Sequence, residues 1–210
     1  MTFAALLVAA AVGSVVWLTL PYYRDLLVAG RLVRPNFRSE DIPVAVGLWP
    51  AAIAALSSAA WGTVGNTYGY PTAVGVLAAA LIGLLDDTAG NRRSAGFRGH
   101  FGELLKGRLS TGSLKAIGIP LTALIVSCSL GRGGWALVDS FTVALCANLV
   151  NLLDVRPGRA VKGCFLLFLV AAISGLRTSW APIWLLFVTA VGAYTPTDLR
   201  AQGMLGDSGA

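Results

Sequence analysis

Carboxylates stand at the ends of apolar stretches in this sequence, where they could serve chemistry. Asp86 and Asp87 close the run Gly-Leu-Leu-Asp-Asp, Asp154 ends another apolar run, and Asp207 lies in Gly-Asp-Ser-Gly beyond a third. Adjacent carboxylates at a membrane boundary repel each other and are costly to desolvate, so they need compensation. Mg²⁺ can supply it, because this ion prefers oxygen ligands and completes its octahedron with waters and phosphates. Carboxylates, Mg²⁺ and nearby basic residues together indicate a site that handles a diphosphate.

A polar strip precedes Asp154. Asn148, Asn151 and Asp154 are spaced three residues apart, which places them along one sloping line of a helix. Two interpretations stand: the strip lines a ligand site, or it forms hydrogen bonds between helices inside the membrane. The Asp86–Asp87 pair also has two interpretations, because paired acids often just end a helix in solvent. Acids at a helix C-terminus oppose the helix dipole, however, and strip and pair fall on the same predicted face, which favours function.

The composition sets the class of protein that must position these residues. Of 210 residues, 56% are hydrophobic and 12% are charged, and the mean hydropathy is +0.72. These values exclude a disordered chain and an ordinary soluble domain. The three cysteines are an odd number and lie within apolar runs, which argues against a disulfide framework and against a zinc site. We therefore expect residues 1–210 to form a single integral membrane domain.

Seven apolar stretches give the predicted architecture. Backbone that crosses a bilayer must satisfy its own hydrogen bonds, so each stretch is predicted to be a helix. The fold class is therefore an all-α, polytopic membrane bundle of about seven transmembrane helices. The stretches are Thr2–Tyr22, Ile42–Ala60, Pro71–Leu85, Leu114–Leu130, Trp135–Leu153, Gly163–Leu176 and Ala181–Tyr194.

The distribution of basic residues predicts the orientation. Fourteen of the sixteen Lys and Arg residues fall after the odd-numbered stretches, and only Arg132 and Arg177 fall on the other side. The positive-inside rule then places the odd loops and the acids on the cytoplasmic face and the N-terminus outside. The first stretch has no basic residues before it, so it is predicted to be a retained helix and not a signal peptide. Topology and anionic lipids explain the net charge of +6, and no nucleic-acid partner is expected.

Four sequence blocks, in order, resemble the polyprenyl-phosphate N-acetylhexosamine-1-phosphate transferases. This family includes the translocase that makes the first lipid intermediate of peptidoglycan and the related GlcNAc-1-phosphate transferases. The blocks are Arg34-Pro-Asn-Phe with Ile42-Pro-Val, Gly83-Leu-Leu-Asp-Asp87, Asn148-x-x-Asn151-x-x-Asp154 with Gly158-Arg-Ala160, and Met204-Leu-Gly-Asp-Ser-Gly209.

The resemblance implies an enzyme, a phosphotransferase of the EC 2.7.8 type. It would transfer a sugar-1-phosphate, with N-acetylhexosamine-1-phosphate as the expected group, from a UDP-sugar to a polyprenyl phosphate, with Mg²⁺ as cofactor. The product would be a lipid-linked diphosphate sugar for cell-envelope polymer synthesis. By position, Asp86 and Asp87 match the catalytic aspartate pair, and Asp207 with Asp87 would hold the metal.

The same resemblance implies a nucleotide-sugar cleft. Asn148, Asn151 and Asp154 match polar residues that line it, and Lys115 resembles a loop lysine near the nucleotide. Lys115 has an equal second interpretation, as a basic residue that only marks the inner face. Pro157 replaces the second aspartate of the family block.

An alternative stays open because the family has about ten helices and a later histidine-rich loop that this sequence lacks. The chain would then be the N-terminal two-thirds of a longer family member, or a catalytically incomplete homologue. Such a homologue would bind polyprenyl phosphate or an envelope-assembly partner. Either interpretation implies the inner or plasma membrane, lipids as partners and an active face towards the cytoplasm, and leaves a homodimer open.

Overall fold

A computed structural model describes residues 3–89, 111–175 and 179–210. These residues form seven α-helices and one short antiparallel hairpin. The helices are α1 Phe3–Ala29, α2 Leu48–Thr63, α3 Gly69–Ala89, α4 Thr111–Ser129, α5 Trp135–Leu153, α6 Arg159–Gly175 and α7 Ala181–Leu199; the strands are β1 Val33–Pro35 and β2 Asp41–Pro43. The basic residues between the third and fourth stretches lie outside the described ranges, whereas Lys115, at the start of the fourth stretch, lies within α4.

Four of these helices are long and apolar enough to cross a membrane: α1 with 27 residues, α3 with 21, and α4 and α5 with 19 each. The predicted helical membrane bundle is thereby confirmed. Of the other three, α2 has 16 residues, α6 has 17, and the 19-residue α7 carries Pro196 and Asp198 in its last turn. Seven spans and an external N-terminus stay predictions.

The helix bounds follow the apolar pattern in part: α1 ends at Ala29 and not at Tyr22, and α7 ends at Leu199 and not at Tyr194. The predicted stretch Trp135–Leu153 coincides with α5. The stretch Ile42–Ala60 was wrong at its start, because β2 occupies Asp41–Pro43 and α2 begins at Leu48. Pro43 donates no hydrogen bond, and Ala45 has a φ of 65°, so the chain between β2 and α2 cannot continue a helix.

Six helices form a closed ring. Each helix from α2 to α7 contacts the next along the chain, α7 returns to contact α2, and α1 packs against α7 and α2 from outside. All six ring helices line a central cavity of about 390 Å³. Most of the residues that line it are small or apolar, including Ala51, Gly75, Ala123, Ala147 and Ala190.

The C-terminal segment 203–210 returns to one end of the ring. Its main chain pairs with the segment after β2: the Met204 N–H donates to the Pro43 carbonyl at 2.9 Å, and the Gly47 N–H donates to the Leu205 carbonyl at 3.0 Å. Leu205 is buried against Val46 and other core residues. This pairing fixes the residues that follow, Gly206 to Ser208, beside the C-terminal ends of α3 and α5.

Candidate active site

Asp87 is the most enclosed acid of the predicted site. It lies in the last turn of α3 and is only 4% exposed. Its Oδ1 accepts the main-chain N–H of Asp207 and its Oδ2 accepts that of Ser208, each at 3.0 Å. A carboxylate that accepts two main-chain N–H groups is well satisfied, and it fixes the segment that donates them.

Asp154 joins the same segment from the end of α5. It is the C-terminal cap residue of that helix, and its Oδ2 accepts the Gly206 N–H at 2.8 Å. Burial is the main cause that raises the pKa of Asp154, to about 7, and the nearby carboxylates of Asp198 and Asp87 raise it further. The N–H donated by Gly206 opposes the rise without cancelling it. Asp154 therefore changes its charge near neutral pH.

Asp207 carries the polar contacts at the centre of the site. Its carboxylate forms an ion pair with Lys115 of α4, and both side chains are 14% exposed. The Asp86 carboxyl lies close to it and interacts electrostatically with it and with the Thr111 side chain at the start of α4. Burial and the Asp86 carboxyl raise the pKa of Asp207, while Lys115 lowers it. Two carboxyls this close need a shared proton or a cation.

Glycines permit this close approach at two positions. A Cβ on Gly83, one turn before Asp87, would overlap the Asp207 carbonyl oxygen. Gly206 has a φ of 76°, and a Cβ there would lie 2.8 Å from the Asp87 Oδ2. The Gly-Leu-Leu-Asp-Asp and Gly-Asp-Ser-Gly runs therefore fit each other because their glycines lack side chains.

The structure brings together the four aspartates Asp86, Asp87, Asp154 and Asp207, and places Lys115 of α4 beside them. The two predicted asparagines are not joined to this cluster by side-chain hydrogen bonds. Asn148 is exposed and Asn151 is partly exposed, and no described residue forms a hydrogen bond with either side chain. Their roles in substrate binding stay predictions. His100 lies outside the described residues.

Two polar residues at this end of the bundle were not predicted as site residues. Arg34 of β1 contacts the end of α3, where its Nη2 donates to the main-chain carbonyl oxygen of Asp87 at 2.6 Å. Asp198, which is 4% exposed near the end of α7, accepts the Gly158 N–H at 2.8 Å. The signal for Asp198 was present in the sequence, since it too is an acid at the end of an apolar helix.

The donor set fits a magnesium ion only in part. Asp86 and Asp207 place two carboxyls within hydrogen-bond reach of each other, which suits an ion that takes few protein ligands. Both oxygens of Asp87 already accept main-chain N–H groups. Within residues 3–89, 111–175 and 179–210, no group of three or more His, Cys, Asp or Glu side chains is arranged to hold a metal.

The fold and the site together define a polytopic helical membrane protein with a buried cluster of acids at one end of its bundle. The chain matches no model of a known protein family, and no match is found among curated proteins.

Proposed function

We propose that this protein transfers a sugar-1-phosphate from a UDP-sugar to a polyprenyl phosphate at the cytoplasmic face of the cell membrane. The observation that carries the proposal is the meeting of Asp86, Asp87, Asp154 and Asp207 with Lys115. These residues lie far apart in the chain, yet they share hydrogen bonds and an ion pair around segment 206–208. The order of the four blocks that resemble the transferase family adds to it.

The proposed chemistry is a phosphoryl transfer. An oxygen of the lipid phosphate forms a bond to the β-phosphorus of the UDP-sugar, the bond to the α-phosphate oxygen breaks, and UMP leaves. Such a transfer needs positioning and charge neutralisation more than covalent help. Lys115 supplies a positive charge within the cluster, and Asp86 is partly exposed beside it, so among the described residues these two side chains would meet an incoming diphosphate.

Asp86 and Asp207 would hold the Mg²⁺. The ion would neutralise phosphate oxygens when bound. Lys115 would then bind the substrate phosphates through the N–H groups not used by Asp207. The contacts of Asp87 favour a role in holding the Asp207 main chain, and its predicted role as a second metal ligand stays a prediction.

The central cavity would receive part of the proposed lipid substrate. Ser208 and Gly209 line one end of it, and the rest of its wall is mainly apolar side chains between the helices. An apolar chain could therefore lie within the bundle while its phosphate reaches the acids, because both environments meet at segment 208–209.

A direct assay tests the proposal. Membranes that contain the protein are incubated with radiolabelled UDP-GlcNAc, polyprenyl phosphate and Mg²⁺, and the lipid extract is examined for a sugar diphosphate. We expect label in the lipid, none without Mg²⁺, and none for Asp86→Asn. Asp25→Asn, which removes an exposed acid of α1, is the matched control and should keep the activity. No labelled lipid with any common UDP-sugar would overturn the proposal.

A second candidate function is a non-catalytic homologue that binds polyprenyl phosphate or an envelope-assembly partner. The observation in its favour is that Asp87 and Asp154 are already satisfied by main-chain N–H groups and Asp207 by Lys115. Pro157, at the position of a family aspartate, also favours it. Binding of UMP or of polyprenyl phosphate without turnover, measured by calorimetry on purified protein, would distinguish this candidate from the enzyme.

A further inference from the structure

Arg34 joins the β-hairpin to the helix that carries Asp86 and Asp87. It lies in the middle of β1, where it faces Ile42 of β2 in the antiparallel register. Its Nη2 donates to the main-chain carbonyl oxygen of Asp87 at 2.6 Å and more weakly to that of Asp86 at 3.4 Å. The guanidinium therefore contacts both acidic residues through their backbone and leaves their carboxylates to the site.

The contact with Arg34 compensates negative charge at the C-terminal end of α3. The last carbonyl groups of a helix have no partner within it and carry the negative end of the dipole. Two aspartates in that turn add negative charge where a positive one is preferred. Arg34 supplies the positive charge and donates to the unpaired oxygens, and its fixed planar fork limits how the turn can move.

We propose that Arg34 is a positioning residue for the transferase reaction. By holding the main chain of Asp86 and Asp87, it fixes the Asp86 carboxyl against Asp207 and fixes the acceptor oxygens of Asp87 that bind segment 207–208. This inference rests on the proposed function for its kinetic consequence, whereas the contact itself is tested without turnover.

The kinetic test compares Arg34→Ala and Arg34→Lys with Arg38→Ala. Arg38 lies in the turn of the same hairpin and is exposed, and its side chain packs over the Phe37 ring with 5.0 Å between guanidinium carbon and ring centroid. We expect Arg34→Ala to lower kcat by about 10- to 100-fold, because a displacement of ~1 Å in a reacting group has effects of that size. The KM for the UDP-sugar should stay within about twofold, Arg34→Lys should recover part of kcat, and Arg38→Ala should match the wild type.

The contact test is hydrogen exchange of the full-length protein in detergent micelles. Arg34→Ala should raise the exchange rate of amides in residues 84–89 and 206–208 by about tenfold, since a charge-assisted hydrogen bond is lost, while Arg38→Ala should not. An unchanged exchange rate in Arg34→Ala would overturn the inference. An equal loss of kcat in Arg34→Ala and Arg38→Ala would also overturn it. If the wild type shows no turnover with any UDP-sugar, the proposed function fails, and the exchange rates still decide whether Arg34 positions the two aspartates.

Discussion

The side chain of Asp87 holds the main chain of Asp207: its Oδ1 accepts the Asp207 N–H at 3.0 Å across 120 residues of sequence. Asp87 is buried, and its second oxygen binds the next N–H along the chain. The position of the Asp207 carboxylate, between Lys115 and Asp86, therefore depends on a residue that holds the main chain of Asp207. A change at Asp87 should act on the site through Asp207.

Asp87→Asn tests this dependence. The amide keeps one oxygen acceptor and places an NH₂ group where the second acceptor was, so one main-chain N–H of segment 207–208 loses its partner. We expect turnover to fall by about 100-fold and the free energy of unfolding to fall by about 1–3 kcal/mol, while membrane insertion is retained. Turnover and denaturation in mild detergent are the measurements, with the exposed Asp25→Asn as control. Wild-type values for both quantities would remove Asp87 from the site.

Sequence patterns predicted the helices from local chemistry, and they predicted a common face for the acids because the acids follow alternate apolar stretches. An apolar run must be helical within a bilayer, and acids at the ends of such runs must lie at its surface. The hairpin at Val33–Pro43 escaped prediction because its strands have three residues each and continue directly towards an apolar helix.

The partners of the acids could not be read from the sequence. The N–H groups that bind Asp87 and Asp154 belong to the main chain of residues 206–208, and every residue except proline carries such a group. Arg34 was visible in the sequence only as a basic residue that opens the Arg-Pro-Asn-Phe block, with no partner indicated. Its bond to the end of α3 depends on how the hairpin folds back, which residue types alone do not specify.

The ion pair of Lys115 and Asp207 should appear as an energetic coupling. Each side chain is 14% exposed, so removal of one partner leaves a largely enclosed charge without compensation. We expect Lys115→Met and Asp207→Asn each to lower the free energy of unfolding by about 1–3 kcal/mol. The double variant should lose less than the two single losses combined, by about 1 kcal/mol or more.

Denaturation of the four proteins in mild detergent gives this coupling. The matched control is the same cycle with Lys162→Met in place of the change at Lys115. Lys162→Met also removes one positive charge, from an exposed position on α6. Its effect should add to that of Asp207→Asn within about 0.5 kcal/mol. Simple additivity for Lys115 as well would show that the ion pair contributes nothing to stability.

Asp154 should make stability depend on pH. Burial raises its pKa from 3.8 to about 7 in the folded protein, so the folded state binds this proton more tightly than the unfolded state does. The free energy of unfolding should therefore fall as pH rises from about 4 to about 7 and level off above that range. Asp154→Asn keeps an oxygen that can accept the Gly206 N–H but cannot lose a proton, so its slope should be shallower.

Thermal unfolding between pH 4.5 and 8 measures this slope. The raised pKa of Asp207 contributes to the fall in the same direction, so we expect Asp154→Asn to reduce the slope and not to abolish it. Asp41→Asn changes an exposed acid of β2 and should leave the wild-type slope intact. An unchanged slope in Asp154→Asn would contradict the assignment of a proton to this carboxyl at neutral pH.

A single methyl group at Gly83 should separate α3 from the C-terminal segment. A Cβ there would overlap the Asp207 carbonyl oxygen, which belongs to backbone held on both sides by Asp87 and Asp154. The segment must therefore move away, at a cost of about 1–3 kcal/mol in the free energy of unfolding. Gly192→Ala on α7 is the matched control, because apart from the neighbouring backbone of α7 no described atom lies within 4 Å of its Cβ position. That change should be neutral or stabilise the helix by up to about 1 kcal/mol.

The rate of tryptic cleavage after Arg200 measures whether the C-terminal segment of the Gly83→Ala protein is displaced. Arg200 is exposed and lies three residues before the C-terminal segment, which pairs with residues 43–47 and is restrained by that pairing. A segment displaced by the Gly83→Ala methyl group should be cleaved after Arg200 faster than in the wild type, and Gly192→Ala should be cleaved at the wild-type rate. Equal cleavage and equal melting temperatures in all three proteins would mean that α3 does not approach segment 206–208 as closely as described. The hydrogen bond between Asp87 and the Asp207 main chain would then be contradicted as well.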